Sequence, residues 1–169
     1  MSEAKNRAIL NALPDVTFIQ TIDGVYIDCY FKDPRDLLLP TEKFLGKNMS
    51  EVLPAQLAAT FGNCFKRAAE SGEPVIQEYA LATDEQTRHY EARIVKYNQD
   101  QILTLVRDIT ERKNSEQSLR ESQNLLTTIM DNCPAIVFLK DREGRYLYVN
   151  SGFEVLAHLP PERVLGKTD

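Results

Sequence analysis

The sequence has little of what catalytic, metal-binding or membrane-embedded chains require. Its 169 residues include only two histidines and three cysteines. Cys29, Cys64 and Cys133 lie far apart, with no C-x-x-C pair and no histidine at metal-ligand spacing. Odd in number and widely separated, they read as buried reduced thiols rather than as a disulfide framework or a metal site. No apolar run approaches the roughly 18 residues that span a bilayer, and residues 1–14 lack a basic start followed by an apolar core. No membrane span in this segment and no secretory leader are therefore expected, and a cytoplasmic location is. Basic residues are not massed: 20 Lys and Arg stand against 25 Asp and Glu, a formal charge of −5. Their scatter leaves no stripe for a phosphate backbone, so nucleic acid is not an expected partner.

What is present is an ordinary globular composition, 43% hydrophobic and 27% charged, which sets aside a collagenous, low-complexity or fully disordered chain. An internal repeat dominates the organisation. At an offset of 120, Ile9, Pro14, Phe18, Gly24 and Tyr26 recur as Ile129, Pro134, Phe138, Gly144 and Tyr146. Leu39, Pro40, Glu42, Leu45, Gly46 and Lys47 recur as Leu159, Pro160, Glu162, Leu165, Gly166 and Lys167. These 11 identities fall in 44 ungapped positions, so the chain begins one domain twice and the second copy stops where the first has reached only Met49.

Within the first copy, residues 5–13 place Ile9, Leu10 and Leu13 on one helical face, and Pro14 ends that helix. Residues 15–21 and 25–31 are strand-like runs joined through Asp23-Gly24, a hairpin signal. Residues 33–47 are polar and punctuated by proline, fitting short helices. From 54 to 71, Leu57, Phe61, Phe65 and Ala68 recur at helical spacing, and Gly72 closes the one long amphipathic helix. Residues 74–83, 87–97 and 102–109 read as three further strands with turns at 83–85 and 98–100. The order predicts an α+β fold, a five-stranded antiparallel sheet with helices on one face. Ile102-Leu103-Thr104-Leu105-Val106 is apolar on both faces, so its outer face is expected to be covered by a helix or by a second subunit. A helix is then expected from Ile109 to Met130, with Asp108 as N-cap and Glu111 completing a capping box. Its seam of Ile109, Leu119, Leu126 and Met130 is interrupted by Arg112, Glu116 and Gln123, fitting either an adjustable coiled coil or a solvated spacer.

The string from Leu105 to Lys113, with Asp108-Ile109-Thr110 at its centre, resembles the exit motif of PAS sensor domains. The Asp23-Gly24 hairpin, Leu45-Gly46-Lys47 and the segment from Asp141 to Asn150 resemble other parts of that family. The resemblance implies a PAS domain over residues 1–112, comprising an N-terminal helix at 5–13 and a core at 14–108. A signalling linker helix at 109–131 and an incomplete second PAS domain at 132–169 follow. It also implies the spatial strand order 2-1-5-4-3. Tandem domains of this kind resemble the input region of signalling proteins such as histidine kinases or cyclic-di-nucleotide enzymes. His89 and His158 lie in no phosphoacceptor context, so the expectation is a fragment of a longer sensor that starts at Met1, with its output domain downstream.

Within that family, light-sensing members carry a cysteine directly after a Gly-Arg-Asn stretch, where Gly46-Lys47-Asn48 is followed by Met49 and Gly166-Lys167-Thr168 by Asp169. Cys64 in the long helix reads as core. Haem-binding members place a histidine on the long helix, and residues 54–72 contain none. Both a cysteinyl-flavin and a haem cofactor are thereby argued against, and the cofactor stays unknown. A small-ligand pocket between sheet and long helix would be lined by Phe18, Phe61, Gly62, Phe65, Tyr79 and Tyr90, with a filled core as the plainer expectation. Glu91 and Arg93 point outward, away from Tyr90, Ala92 and Ile94. Asp108, Ile109 and Thr110 are the expected coupling residues between last strand and linker. Asp28 with Tyr30, or His89 with Glu91, could form an acid/base pair, but a two-residue strand spacing is common by chance, so no enzyme is expected. A homodimer is expected, acting as a ligand sensor or as an unliganded scaffold.

Overall fold

The computed structural model describes residues 15–82 and 86–168. The helix expected over 5–13 and the turn at 83–85 lie outside the described residues. The chain divides into two compact units, Met1–Lys113 and Asn114–Asp169.

The first unit is an α+β layer. Strands β1 (Val16–Thr21), β2 (Tyr26–Tyr30), β3 (Val75–Ala82), β4 (Thr87–Lys96) and β5 (Gln101–Asp108) form one antiparallel sheet in the order β2-β1-β5-β4-β3. Each boundary lies within one residue of the run read from sequence, because period-2 alternation fixes which residues face the core. On β4, Tyr90, Ala92 and Ile94 are buried while Arg93 is exposed and Glu91 half-buried. The β1·β2 hairpin turns through Gly24, whose φ of 92° is a left-handed conformation. Its N–H donates to the Thr21 carbonyl, and the Thr21 hydroxyl accepts from Val25 N–H.

Two short 3₁₀ turns, Pro34–Asp36 and Thr41–Lys43, occupy the polar segment as expected. A further helix, α1 (Met49–Val52), was not legible; it is fixed by a capping box in which Asn48 and Glu51 exchange hydrogen bonds. The Asn48 amide also donates to the Asp23 carbonyl at 2.7 Å, tying α1 to the hairpin. Helix α2 (Ala55–Ser71) buries Ala58, Phe61, Cys64, Phe65 and Ala68 along one stripe, and Gly72 caps it in the left-handed region with φ 72°. That stripe packs on Tyr26, Val75, Ala92, Ile94 and Ile102 to make the core.

Helix α3 (Thr110–Asp131) follows β5. It starts one residue later than the sequence reading placed it. Ile109 occupies the cap position, its carbonyl accepting from Lys113 N–H, while Asp108 accepts from Thr110 N–H at 2.8 Å. Asp108 thus caps from outside the helix, and no bond from Glu111 back to it is among those of the described residues. No helix of the described residues is long and apolar enough to cross a membrane.

The second unit reproduces the first down to single hydrogen bonds. Strands β6 (Phe138–Lys140) and β7 (Tyr146–Val149) pair antiparallel with a register shift at Leu139/Lys140, matching that at Ile19/Gln20. Tyr26 N–H donates to Lys47 O and Gly46 N–H to Tyr26 O; at an offset of 120, Tyr146 N–H donates to Lys167 O and Gly166 N–H to Tyr146 O. The copies differ after the hairpin. Helix α4 (Ser151–Ala157) stands where the first copy has only the turn at Pro34, and a short α5 (Pro161–Val164) follows. Pro34 offers no N–H to a longer helix, whereas Asn150 caps α4 through Phe153 N–H. Fully buried, Asn150 also donates to the Met130 and Ala135 carbonyls and accepts from Val137 N–H. Without the later strands and long helix of the first copy, Ile136 and Phe138 stay exposed, while Val149 is buried.

Candidate functional site

Two features of the first unit can carry function: a cavity under the sheet, and the junction where β5 becomes α3. The cavity, of about 150 Å³, lies between the inner face of the sheet, α1, α2 and residues 36–39. The core proper is packed around Phe65, Ala92, Ile94 and Ile102, all fully buried, and the space lies beside it, toward residues 36–39. Of the six residues read from sequence, Phe18, Phe61, Tyr79 and Tyr90 line it. Gly62 and Phe65 do not. Phe65 is fully buried one turn away, edge-on to Phe61, and a Cβ on Gly62 would meet Met49 at an ordinary 3.6 Å. Helical periodicity identified the right face of α2 but not which turn of it borders the void.

The residues missed are as informative. Leu37, Leu39, Met49, Val52 and Leu53 close the cavity from the turn after Pro34 and from the single-turn α1 and its end, too short to show a periodicity. Gln20 and Thr104 enter its wall from β1 and β5. Gln20 is two residues beyond Phe18, on the same face, and sits at the bulge between β1 and β2; bulges re-aim side chains in this way. Each is only 3% exposed, and the Thr104 hydroxyl donates to Gln20 Oε1 at 3.0 Å.

Aromatic rings form most of the remaining wall. Phe18, Tyr26 and Phe44 pack edge-to-face with centroids 5.2–5.7 Å apart, and Tyr79 stacks on Tyr90 at 5.4 Å. Burial pushes the Tyr26 hydroxyl up to about 12 and raises Tyr79 as well, the latter with a further push from the neighbouring Tyr26 and Tyr90. Both are therefore neutral at physiological pH. Neither a cysteine nor a histidine is in the lining, and burial raises the thiols of Cys29 and Cys64. The lining thus holds no thiol that could form a cysteinyl adduct and no imidazole, its one sulfur being the Met49 thioether. Its volume also lies well below the roughly 300–1,000 Å³ of pockets for drug-sized ligands.

At the junction, Tyr90 of β4 is the last residue paired with β5, opposite Asp108. His89, one position further, would have an unpaired N–H and C=O on that side. Ile109 N–H donates to the His89 carbonyl at 2.8 Å, and the Thr110 hydroxyl accepts from His89 N–H at 2.9 Å. The first helical residue therefore completes the sheet ladder through its side chain. Beyond it, Lys113 Nζ and Arg112 Nη2 reach Glu78 of β3 at 2.6 and 3.0 Å, and Arg112 lies 3.9 Å from Glu91. Lys113, then Arg112, hold the Glu78 carboxyl below the usual range.

The other pairs weighed from sequence are not brought to the cavity. Asp28 accepts from the N–H of its neighbour Cys29, and His89 and Glu91 lie on the outer face. Among the described residues no cluster of three His, Cys, Asp or Glu side chains is placed to hold a metal ion.

A model of the PAS fold family matches residues 10–114 and 130–169. The virulence sensor protein BvgS of Bordetella pertussis is 31% identical over 67 residues, which are 40% of this chain and 5% of that protein. The methanogenesis regulatory histidine kinase FilI of Methanothrix harundinacea is 30% identical over 92 residues, 52% of this chain and 10% of that protein. The chain therefore spans at most a tenth of the curated relatives it matches here. The solved PAS domain of Bordetella pertussis BvgS superposes with a TM-score of 0.52 at 19% identity, covering 72% of this chain and 96% of that one. A domain of a sensory box sensor histidine kinase/response regulator from Geobacter sulfurreducens gives 0.51 at 21% identity, with coverages of 62% and 92%. At these identities the likeness is one of fold.

Proposed function

Because the chain belongs to the PAS fold family, we propose that it is a cytoplasmic signal-input module whose first unit converts occupancy of its cavity into a change at the start of α3. The single observation that carries this reading is the position of Tyr90. It lines the cavity, pairs with Asp108, and is adjacent in sequence to His89, which holds Ile109 and Thr110. A ligand that displaces the Tyr90 ring by a fraction of an ångström moves the strand end on which the helix is seated. The signal then passes along α3, about 33 Å of helix at 1.5 Å per residue, to the second PAS unit and to an output domain of the full-length protein. A histidine kinase or cyclic-di-nucleotide enzyme fits that place, and the names of the relatives support the former.

Asp108→Ala tests the coupling. Loss of the carboxylate that accepts from Thr110 N–H removes about 1 kcal/mol of helix-start stability. The expected result is faster hydrogen exchange over residues 110–126 with the domain still folded; unchanged exchange there sinks the coupling role. A second reading, an unliganded dimerisation scaffold, is favoured by the outer sheet face, where Ile19, Leu103 and Leu105 are only half-buried. Native mass spectrometry with an absorbance spectrum separates the two, since retained small-molecule mass contradicts the scaffold.

A further inference from the structure

The cavity wall is mostly hydrocarbon and ring, and the lining groups left without a partner among the described residues each carry an N–H or O–H that can donate. Gln20 spends its carbonyl oxygen on Thr104, and its amide nitrogen makes no hydrogen bond to any described residue. The hydroxyls of Tyr26 and Tyr79 likewise have no hydrogen-bond partner among the described residues, and they are near enough for one to raise the pKa of the other. These three are not enclosed orphans, since among the described residues the buried side-chain atoms without a partner are Thr17 Oγ1 and Tyr148 Oη; they stay accessible, and a guest in the space they line can accept from them in place of water. Charge narrows the guest further. No lysine, arginine or histidine lines the cavity, and the one ionisable carboxyl in its lining, Asp36, is exposed. A carboxylate guest would lose its hydration with no counter-ion to replace it. The repeat shows that a cation is compatible with this place in the fold. Lys140 stands in the second unit where Gln20 stands in the first, with its ammonium 4.2 Å from the Tyr146 ring.

We infer that the cavity selects a small, uncharged, largely apolar molecule bearing one hydrogen-bond acceptor, such as a ketone or amide carbonyl, read by Gln20 together with Tyr26 and Tyr79. This rests on the reading of the cavity as a ligand site. At about 150 Å³, the space is that of a single ring with a short substituent, since a dry cavity of similar size takes up benzene.

Three planar probes of equal size separate the possibilities: acetophenone, α-methylstyrene, in which C=CH₂ replaces C=O, and benzoate. Each is titrated into the full chain at millimolar concentrations while amide chemical shifts of the lining residues are followed. Acetophenone should bind about fivefold tighter than α-methylstyrene, the worth of one net hydrogen bond, and benzoate roughly tenfold or more weaker than acetophenone. Gln20→Met should reduce the first ratio about twofold, the two tyrosine hydroxyls remaining, while leaving α-methylstyrene binding intact, which certifies that the cavity survives. Tyr79→Phe, which removes one hydroxyl only, should reduce the ratio about twofold. Equal binding of acetophenone and α-methylstyrene to the wild-type chain overturns the inference and leaves the ligand-site reading standing. Tightest binding by benzoate overturns the uncharged class. No shift with any probe overturns both the inference and the reading beneath it.

Discussion

Replacing Thr110 by valine removes one hydroxyl from the junction and nothing else of comparable size. In the wild type that hydroxyl accepts from His89 N–H at 2.9 Å, a half-buried bond that joins β4 to the first residue of α3. Valine leaves the N–H without its partner. A buried orphan donor costs about 1–3 kcal/mol, and a site only half-buried lies at the low end, about 1 kcal/mol. The competing restraints are weak: the Glu78 pairs with Arg112 and Lys113 are between side chains about half exposed or more than a third exposed, and exposed ion pairs contribute little in solution. The hydroxyl should therefore dominate the seating of the helix, and its loss should raise local opening roughly fivefold. Amide exchange by NMR reads this at Lys113, whose N–H donates to the Ile109 carbonyl and so reports the first turn rather than the substituted contact itself. Thr110→Ser should restore protection. If Lys113 keeps its protection in Thr110→Val while His89 alone exchanges faster, the side chain merely satisfies a strand end and does not hold the helix.

The two hairpin glycines should respond unequally to alanine. At Gly24 a Cβ would meet Met49 at 2.8 Å on a φ of 92°, whereas at Gly144, φ 81°, it meets nothing within 4 Å; Gly24→Ala should lower the thermal midpoint clearly more, and equal losses would contradict the packing of Met49 under the turn. Glu78 has a carboxyl pKa depressed by Lys113 and Arg112, so its contribution is complete above the ordinary glutamate range and is lost as pH falls through and below it. Amide shifts of residues 111–114 should titrate there, and a profile unchanged in Glu78→Gln would exclude the cluster as its source. The half-buried outer face of β1 and β5 predicts a dimer by light scattering at tens of micromolar concentrations, and a monomer under those conditions would leave that face without its expected cover.

How much of this was legible depended on whether a property is periodic. Strands declared themselves by alternation. Helix α2 declared itself by the recurrence of Phe61, Phe65 and Ala68, and the second unit by an offset of 120 so regular that paired hydrogen bonds at Tyr26 and Tyr146 repeat it. The cavity has no such signature. Its volume is a small remainder between packed surfaces, and much of its wall comes from 36–39 and 49–54, where side-chain direction follows turns and caps rather than a period. Phe65 could not be distinguished from Phe61 for the same reason: both lie on the buried stripe, and only the position of α1 decides which borders space. Gln20 was within reach, since alternation from Phe18 places it on the inner face and a buried glutamine is the exception that needs a reason.

The comparison of the two repeats makes that exception sharper. Identical positions in the copies preserve what the backbone requires: the glycine of the turn, the tyrosine whose N–H and carbonyl clasp the returning segment, and the Gly-Lys that supplies the clasp. Position 20 is not under that constraint, because its bulge recurs with Gln in one copy and Lys in the other. What differs between copies on a shared frame is what the frame leaves free, and a side chain 3% exposed that the frame leaves free is chosen for what occupies the space beside it. Exchanging the two, Gln20→Lys, should therefore leave the hairpin register intact while reversing the preference between acetophenone and benzoate. A register change detected by altered β1·β2 amide contacts would show instead that Gln20 belongs to the frame, and the difference between the copies would then carry no information about ligand charge.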